Sequence, residues 1–346
     1  MKKTLKFAAA LVLAVVGLSF VSCDILAQLA EKGGIEATQN EITRKKQEII
    51  TMGMYPQSEK SGNISIESEE TVNVNGWDCY TGSDGKNYVK LEVQDFDTGE
   101  IETKYYKMEP LKWRVLTNDY NGTGKKLLFC ENLIDCCAFI DNTSYDSRTV
   151  DGKTIYNNNY KFSRVRAFLN GLSYDIQEMG INPETQGFGY YTKTISDFEG
   201  KGFFQLAFTE EEQARIATTR VDNSTGVNSK FKCDDTNDKI FLLSKKEAEN
   251  TAYGFPSESD ELDYPSRGRE ATDYAHARGV ATFYSLRTPK SNSHDSNKPD
   301  IWLVGNVKID TKDANGKKIV IDYRGKIMEM FMSMDNGVVP ALCLED

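Results

Sequence analysis

The stretch Leu111-Lys112-Trp113-Arg114-Val115-Leu116 restricts this chain more than any other. Leu111, Trp113 and Val115 alternate with Lys112, Arg114 and Leu116, the period of two expected of a half-buried strand. Pro110 has no N–H to give to a ladder, so the strand is expected to start just after it. A second apolar run, Lys126-Leu127-Leu128-Phe129-Cys130, follows an Asn121-Gly122 turn dipeptide, and the two runs read as a hairpin. That hairpin is expected to form the sheet on which the rest packs.

A second hairpin is expected from residues 87–93 and 101–106, which flank Asp97-Thr98-Gly99-Glu100. Upstream, residues 48–57 read as a short strand ended by Pro56, and the polar residues 58–76 as a loop. The middle of the chain is helical. Ser163 caps a helix stopped at Asn170-Gly171, and Thr209 to Glu212 and Ser244 to Glu247 are capping boxes. Thr272 caps a further helix that ends at Gly279. Residues 172–202 and 222–238 read as loops, with Asp234 to Asp238 as a solvated acidic turn. Strands return at 284–289, 301–305, 319–323 and 337–344. The resulting fold class is α+β, a mostly antiparallel sheet with several short helices packed on it.

Residues 1–22 read as a signal peptide. Lys2, Lys3 and Lys6 precede an apolar run from Phe7 to Phe20, and Ser22-Cys23 closes it. With a cysteine at the cleavage point this resembles a bacterial lipoprotein signal, although Phe20 stands where Leu is usual. An ordinary signal peptide and a membrane span are the alternatives, and the apolar run is short for a span. Lipidated Cys23 would place the protein outside the cytoplasm, on the periplasmic face or the cell surface, with the membrane as its first partner. Residues 23–46 then form a tether and residues 47–346 a single domain. The formal charge is −10, and the leader's lysines leave the remainder more negative still. That composition excludes nucleic acid as a partner. Six further cysteines leave disulfides and buried free thiols both open.

The landmarks form an ordered set: Gly53-x-Tyr55-Pro56-Gln57, Glu109-Pro110-Leu111-Lys112-Trp113-Arg114-Val115-Leu116, Ser163-x-x-Arg166-x-Phe168-Leu169-Asn170, Ala207-Phe208-Thr209-x-x-Glu212, Phe241-Leu242-Leu243-Ser244-x-x-Glu247, Leu286-Arg287-Thr288-Pro289 and Gly337-Val338-Val339-Pro340-Ala341-Leu342. Over residues 50–345 the set resembles a bacterial family of unknown function common in exported and lipid-anchored proteins. That family is distantly similar to the formylglycine-generating-enzyme branch of the C-type-lectin-like fold, so the resemblance implies a sulfatase-modifying-factor-like architecture. Here Val339 replaces the arginine usual in the pattern.

Three functions are compatible with these features: a binding module for an unknown protein, small-molecule or glycan ligand, an enzyme of the formylglycine-generating type, and an envelope structural or adhesion protein. The first is preferred. Candidate ligand-binding residues are Arg287, His294 and Trp302, around the polar 290–299 loop. Each has a plainer reading: Trp302 as core, Arg287 as partner of backbone or carboxylate, His294 as a solvated loop residue. No catalytic constellation, cofactor motif or metal-ligand spacing is found. Lys298-Pro299-Asp300 only half matches a calcium-lectin triplet.

Overall fold

The structure, a computed structural model, describes residues 47–94, 98–140, 147–174, 198–224, 231–256, 267–290, 300–312, 318–330 and 335–345. The signal peptide, the tether with Cys23, and His294 lie outside them. Residues 47–346 form one compact unit. Its first sheet contains β1 (Ile49–Glu59), β2 (Ile66–Val74), β3 (Trp77–Gly82), β4 (Asn87–Gln94), β5 (Ile101–Thr117) and β6 (Lys126–Cys130). The second begins with β7 (Asp135–Ala138). β8 (Ile240–Phe241) belongs to the first sheet, and β9 (Val280–Pro289), β10 (Ile301–Gly305), β11 (Ile327–Met330) and β12 (Asp335–Val338) to the second. β13 (Ala341–Leu344) returns to the first.

In the first sheet the strand order is β8-β13-β6-β5-β4-β3-β2, with β1 also on β5; the second runs β11-β10-β9-β12-β7. All pairings in both sheets are antiparallel except β9 with β12. The architecture is therefore α+β and mostly antiparallel, as expected. Both expected hairpins form, β5 with β6 and β4 with β5. Leu111, Trp113 and Val115 are buried and Lys112 is exposed.

β5 does not start after Pro110; it runs through it. Along its length it pairs with β4 at residues 101–107, β1 at 106–114 and β6 at 113–117. The proline is tolerated because the β1 ladder is already interrupted opposite it, by a register shift between Thr51 and Met54. Gly53 makes that shift possible. Its φ is +79°, and a Cβ there would come within 2.9 Å of the Ala207 carbonyl oxygen. A second shift lets β1 pass Pro56 and continue to Glu59.

Two other expectations are corrected. Residues 66–74 are strand β2 rather than loop. It is an edge strand whose side chains are nearly all exposed, so no burial period marks it. The segment 222–238 is not wholly loop, because Thr236–Asp238 pairs with Thr219–Val221. Nor is Asp238 solvated: it is buried and bonded to Arg166 at 2.7 Å.

The helices are short, and all but the second are capped where the sequence places them. α1 (Arg164–Asn170) begins at Ser163 and ends at left-handed Gly171. α2 (Phe203–Ala207) and α3 (Glu210–Arg215) follow, α3 with its Thr209/Glu212 capping box. α4 (Lys245–Ala248) is a single turn, and α5 (Asp273–Arg278) is capped by Thr272. α5 packs on β1, β7 and β9, and α1 on α2, β7 and β8.

One apolar core spans both sheets, and the six described cysteines are buried free thiols. The chain passes between the sheets four times, and two of these crossings, β6–β7 and β12–β13, run side by side. There the Cys130 N–H donates to Pro340 O (2.9 Å) and the Ile134 N–H to Val338 O (3.0 Å). Gly337 permits this approach, since a Cβ would stand 2.1 Å from Leu133 Cδ1 and 2.8 Å from the Phe283 carbonyl oxygen. Among the described residues no helix is long and apolar enough to cross a membrane.

Candidate functional site

β9 and β10 pair antiparallel, with Pro289 opposite Ile301. That register brings Arg287 and Trp302 to the wall of one cleft, of about 680 Å³. The α4 turn supplies Lys245, Lys246 and Glu247, the turn after β5 supplies Tyr120, and the segment after Val221 supplies Asp222. The volume lies within the range of small-molecule sites.

The buried side of the cleft is built around Glu247. Its place follows from the capping box: Ser244 Oγ accepts from the Glu247 N–H (3.1 Å), and the Ser244 N–H donates to Glu247 Oε2 (2.7 Å). The same carboxylate accepts from Tyr120 Oη (2.5 Å) and from two guanidinium nitrogens of Arg287, at 2.5 and 2.9 Å. Arg287 also donates to the carbonyls of Leu242 (2.6 Å) and Asp222 (3.2 Å). Four of the five guanidinium N–H donors are thus engaged, two on the carboxylate and two on backbone carbonyls. Arg287 is 1% exposed, so it serves as a strut joining β9, α4 and the Asp222 segment.

The charge states are locked. Burial alone would raise the Glu247 carboxyl, but the Arg287 charge, with bonds from Arg287, Tyr120 and Ser244, holds it below its ordinary value. Burial would lower Arg287, and Glu247 reverses that. Burial and then the Glu247 charge push the Tyr120 hydroxyl far above the ordinary phenol range.

Trp302 is half-buried: it packs against the core, as its plainer reading had it, and also lines the cleft. The ammonium of Lys245 lies 5.1 Å from its ring centroid and that of buried Lys290 lies 6.0 Å away. Lys245 is in turn ion-paired with Glu249. Asp222 is held below its ordinary value against the effect of burial, by bonds from Ser224 and by the charges of Arg287 and Lys246. No group of three or more His, Cys, Asp or Glu among the described residues is placed to hold a metal ion.

Residues 123–346 match the family described as Domain of unknown function (DUF6273). The chain belongs to that family. No curated protein and no solved structure matches it. The DUF6273 match covers β6 to β13 and the cleft residues from Asp222 to Trp302; β5 and Tyr120 precede it.

Of the three residues singled out in the sequence, the DUF6273 fold brings Arg287 and Trp302 together, and His294 lies outside the described residues. Sequence reasoning missed Tyr120 and read Glu247 only as a helix cap. The Ser244-x-x-Glu247 box was the available signal for Glu247. Tyr120 sits in an ordinary Asn-Gly turn, 127 residues from its partner, and carries no local mark.

Proposed function

We propose that this chain is a lipid-anchored extracytoplasmic protein of the cell envelope. Its residues 47–346 form a non-catalytic binding module on a C-type-lectin-like frame, and the cleft at Arg287 and Trp302 takes a small polar ligand. The observation that carries the binding reading is the locked set Tyr120–Glu247–Arg287. A general acid or base works best with its proton affinity near the operating pH. These three groups are all driven away from neutrality. What they provide is a rigid wall, and rigidity lowers the entropic cost of binding.

The binding reading is tested by thermal unfolding of the full chain with saccharides, amino acids, nucleosides and phosphate in turn. A ligand at about 100 times its Kd adds about 2.7 kcal/mol to stability. At least one class should raise the melting temperature, and Trp302→Ala should abolish the rise while leaving the unliganded melting temperature nearly unchanged. Turnover of any of these compounds would replace binding with catalysis.

Support for the anchor comes from the basic and apolar leader ending at Cys23. Cells fed an alkyne-labelled palmitate should label this protein, and Cys23→Ser should remove the label and release the protein from the membrane fraction. Two or more acyl chains give stable attachment, so the loss should be nearly complete. Retention of the Cys23→Ser protein in washed membranes would overturn the anchor.

A further inference from the structure

We propose that the strand Lys318–Asp322 is a contact between two copies of this chain, pairing antiparallel with the same strand of the second copy about a two-fold axis at Val320. The contact is independent of the cleft.

Beyond the second sheet the chain forms an arm. Lys308–Lys312 and Lys318–Asp322 pair antiparallel, with Lys308 opposite Asp322 and Lys312 opposite Lys318. Among the described residues neither strand joins any other. The arm prolongs the β10–β11 hairpin, because the Tyr323 N–H donates to Val307 O (2.9 Å) in the same register. That bond fixes which way each backbone group points, since successive residues of an antiparallel strand direct N–H and C=O to alternate sides. Tyr323, Ile321 and Ile319 turn theirs to the strand Lys308–Lys312. Lys318, Val320 and Asp322 turn theirs to the open edge. Val320 is 62% exposed, and Ile309 on the neighbouring strand is 42% exposed. Edge strands are commonly blunted by a bulge, a proline or a charge in mid-strand. Lys-Ile-Val-Ile-Asp has none of these, and its register is unbroken. A two-stranded ribbon alone is marginal in water, and further strands stabilise it.

The five residues are complementary to their own reverse. With Val320 on Val320, Lys318 stands opposite Asp322 and Ile319 opposite Ile321, at both ends alike. The outward backbone groups of Lys318, Val320 and Asp322 then exchange N–H···O bonds between the copies. Asp322 already holds Arg324 at 2.8 Å and lies 3.6 Å from Lys308, so its carboxylate is oriented within the arm. The second copy's carboxylate comes beside Lys318, whose neighbour across the ribbon is the like charge of Lys312. A parallel arrangement would set Lys318 on Lys318 and Asp322 on Asp322. One isologous contact uses up the edge and closes at a dimer.

Cysteine cross-linking tests the register. The six described native cysteines are buried, so an added surface thiol reports on its own position. Full-length protein carrying Cys23→Ser, with either Val320→Cys or Asp310→Cys, is oxidised mildly over a range of concentrations. Val320 lies on the axis, where opposed Cα atoms are about 5.5 Å apart, within disulfide reach. Asp310 stands opposite Val320 across the ribbon, so two Asp310 residues are three strand spacings apart, about 14 Å. Val320→Cys should give a disulfide-linked dimer, and Asp310→Cys at least about tenfold less of it. In sedimentation the Cys23→Ser protein should show a monomer–dimer equilibrium, which Val320→Lys weakens at least about tenfold by setting two like charges face to face. Val320→Pro should do the same, because it removes an outward N–H and none that serves the arm. Both variants should melt as the parent does in dilute solution. Equal cross-linking at the two positions, or a monomer at every concentration, would overturn the contact. So would self-association that Val320→Lys and Val320→Pro leave unchanged.

Discussion

Replacing Glu247 with alanine should destabilise the protein by about 3–5 kcal/mol, the cost of leaving a buried charge without its partner. Arg287 would keep the Leu242 and Asp222 carbonyls but lose its carboxylate, while Tyr120 Oη and the Ser244 N–H would lose their acceptor. For a unit of this size the change lowers the melting temperature by roughly 5–8 °C, taking an unfolding entropy of about 2.1 cal/mol/K per residue. Glu247→Met combined with Arg287→Met should recover most of the loss, because removing both ions removes the desolvation cost as well. The pH dependence has a definite sign. Glu247 is held below its ordinary value of 4.5 in the folded protein, so its contribution is full above that value. The contribution fades as pH falls further towards the folded value, and the difference between wild type and Glu247→Ala should shrink in acid. Denaturation of both proteins at neutral and at low pH measures this. Equal stability of the two at neutral pH would mean that Arg287 is not held by Glu247.

The two hairpins were legible because each has a buried face and a turn dipeptide, and both signals are local. The caps at Ser163, Thr209, Ser244 and Thr272 were legible for the same reason. β2 was not, because an edge strand exposed along its length has no burial period to display. The passage of β5 through Pro110 was hidden because it depends on a bulge in a strand more than fifty residues upstream. The residues that carried the family resemblance mostly grip one another. The Gly53 N–H donates to Glu212 Oε1 (2.8 Å), Gln57 Nε2 to Glu109 O (2.9 Å), and Asn170 Oδ1 accepts from the Lys239 N–H (2.9 Å). Such a pattern marks a fold and says little about a ligand. Arg287 fits it: of its two sequence readings, the partner of backbone and carboxylate is the one the hydrogen bonds show. Trp302 does two things at once: on β10, whose other residues are all buried, it packs against the core and also lines the cleft.

Trp113→Ala should be comparably damaging, at about 3–5 kcal/mol for an aromatic core deletion. The indole is fully buried on β5, opposite Ile50 of β1 and Cys130 of β6, with Phe208 against it at 6.0 Å. It also performs a task that packing alone would not require. The β1 register breaks between Thr51 and Met54, so the Met52 carbonyl falls where the ladder is interrupted, and Trp113 Nε1 donates to it at 2.8 Å. A buried carbonyl stripped of its donor costs about 1–3 kcal/mol. Trp113→Phe keeps most of the apolar volume and removes that donor, so it should fall between wild type and alanine, losing about 1–3 kcal/mol. Trp302→Ala, on the cleft wall, should cost less than either, since a half-buried side chain leaves little cavity behind. Urea denaturation of the three variants, read as a shift in midpoint at constant slope, ranks them directly. If Trp302→Ala proved the most damaging, the cleft wall rather than the β1–β5–β6 junction would be the centre of stability. If Trp113→Phe matched wild type, the bulge would be held by Gly53 and its neighbours without the indole. The order Trp113→Ala, Trp113→Phe, Trp302→Ala is expected because the Trp113 indole both fills the core between β1 and β6 and closes the break in the β1 ladder between Thr51 and Met54.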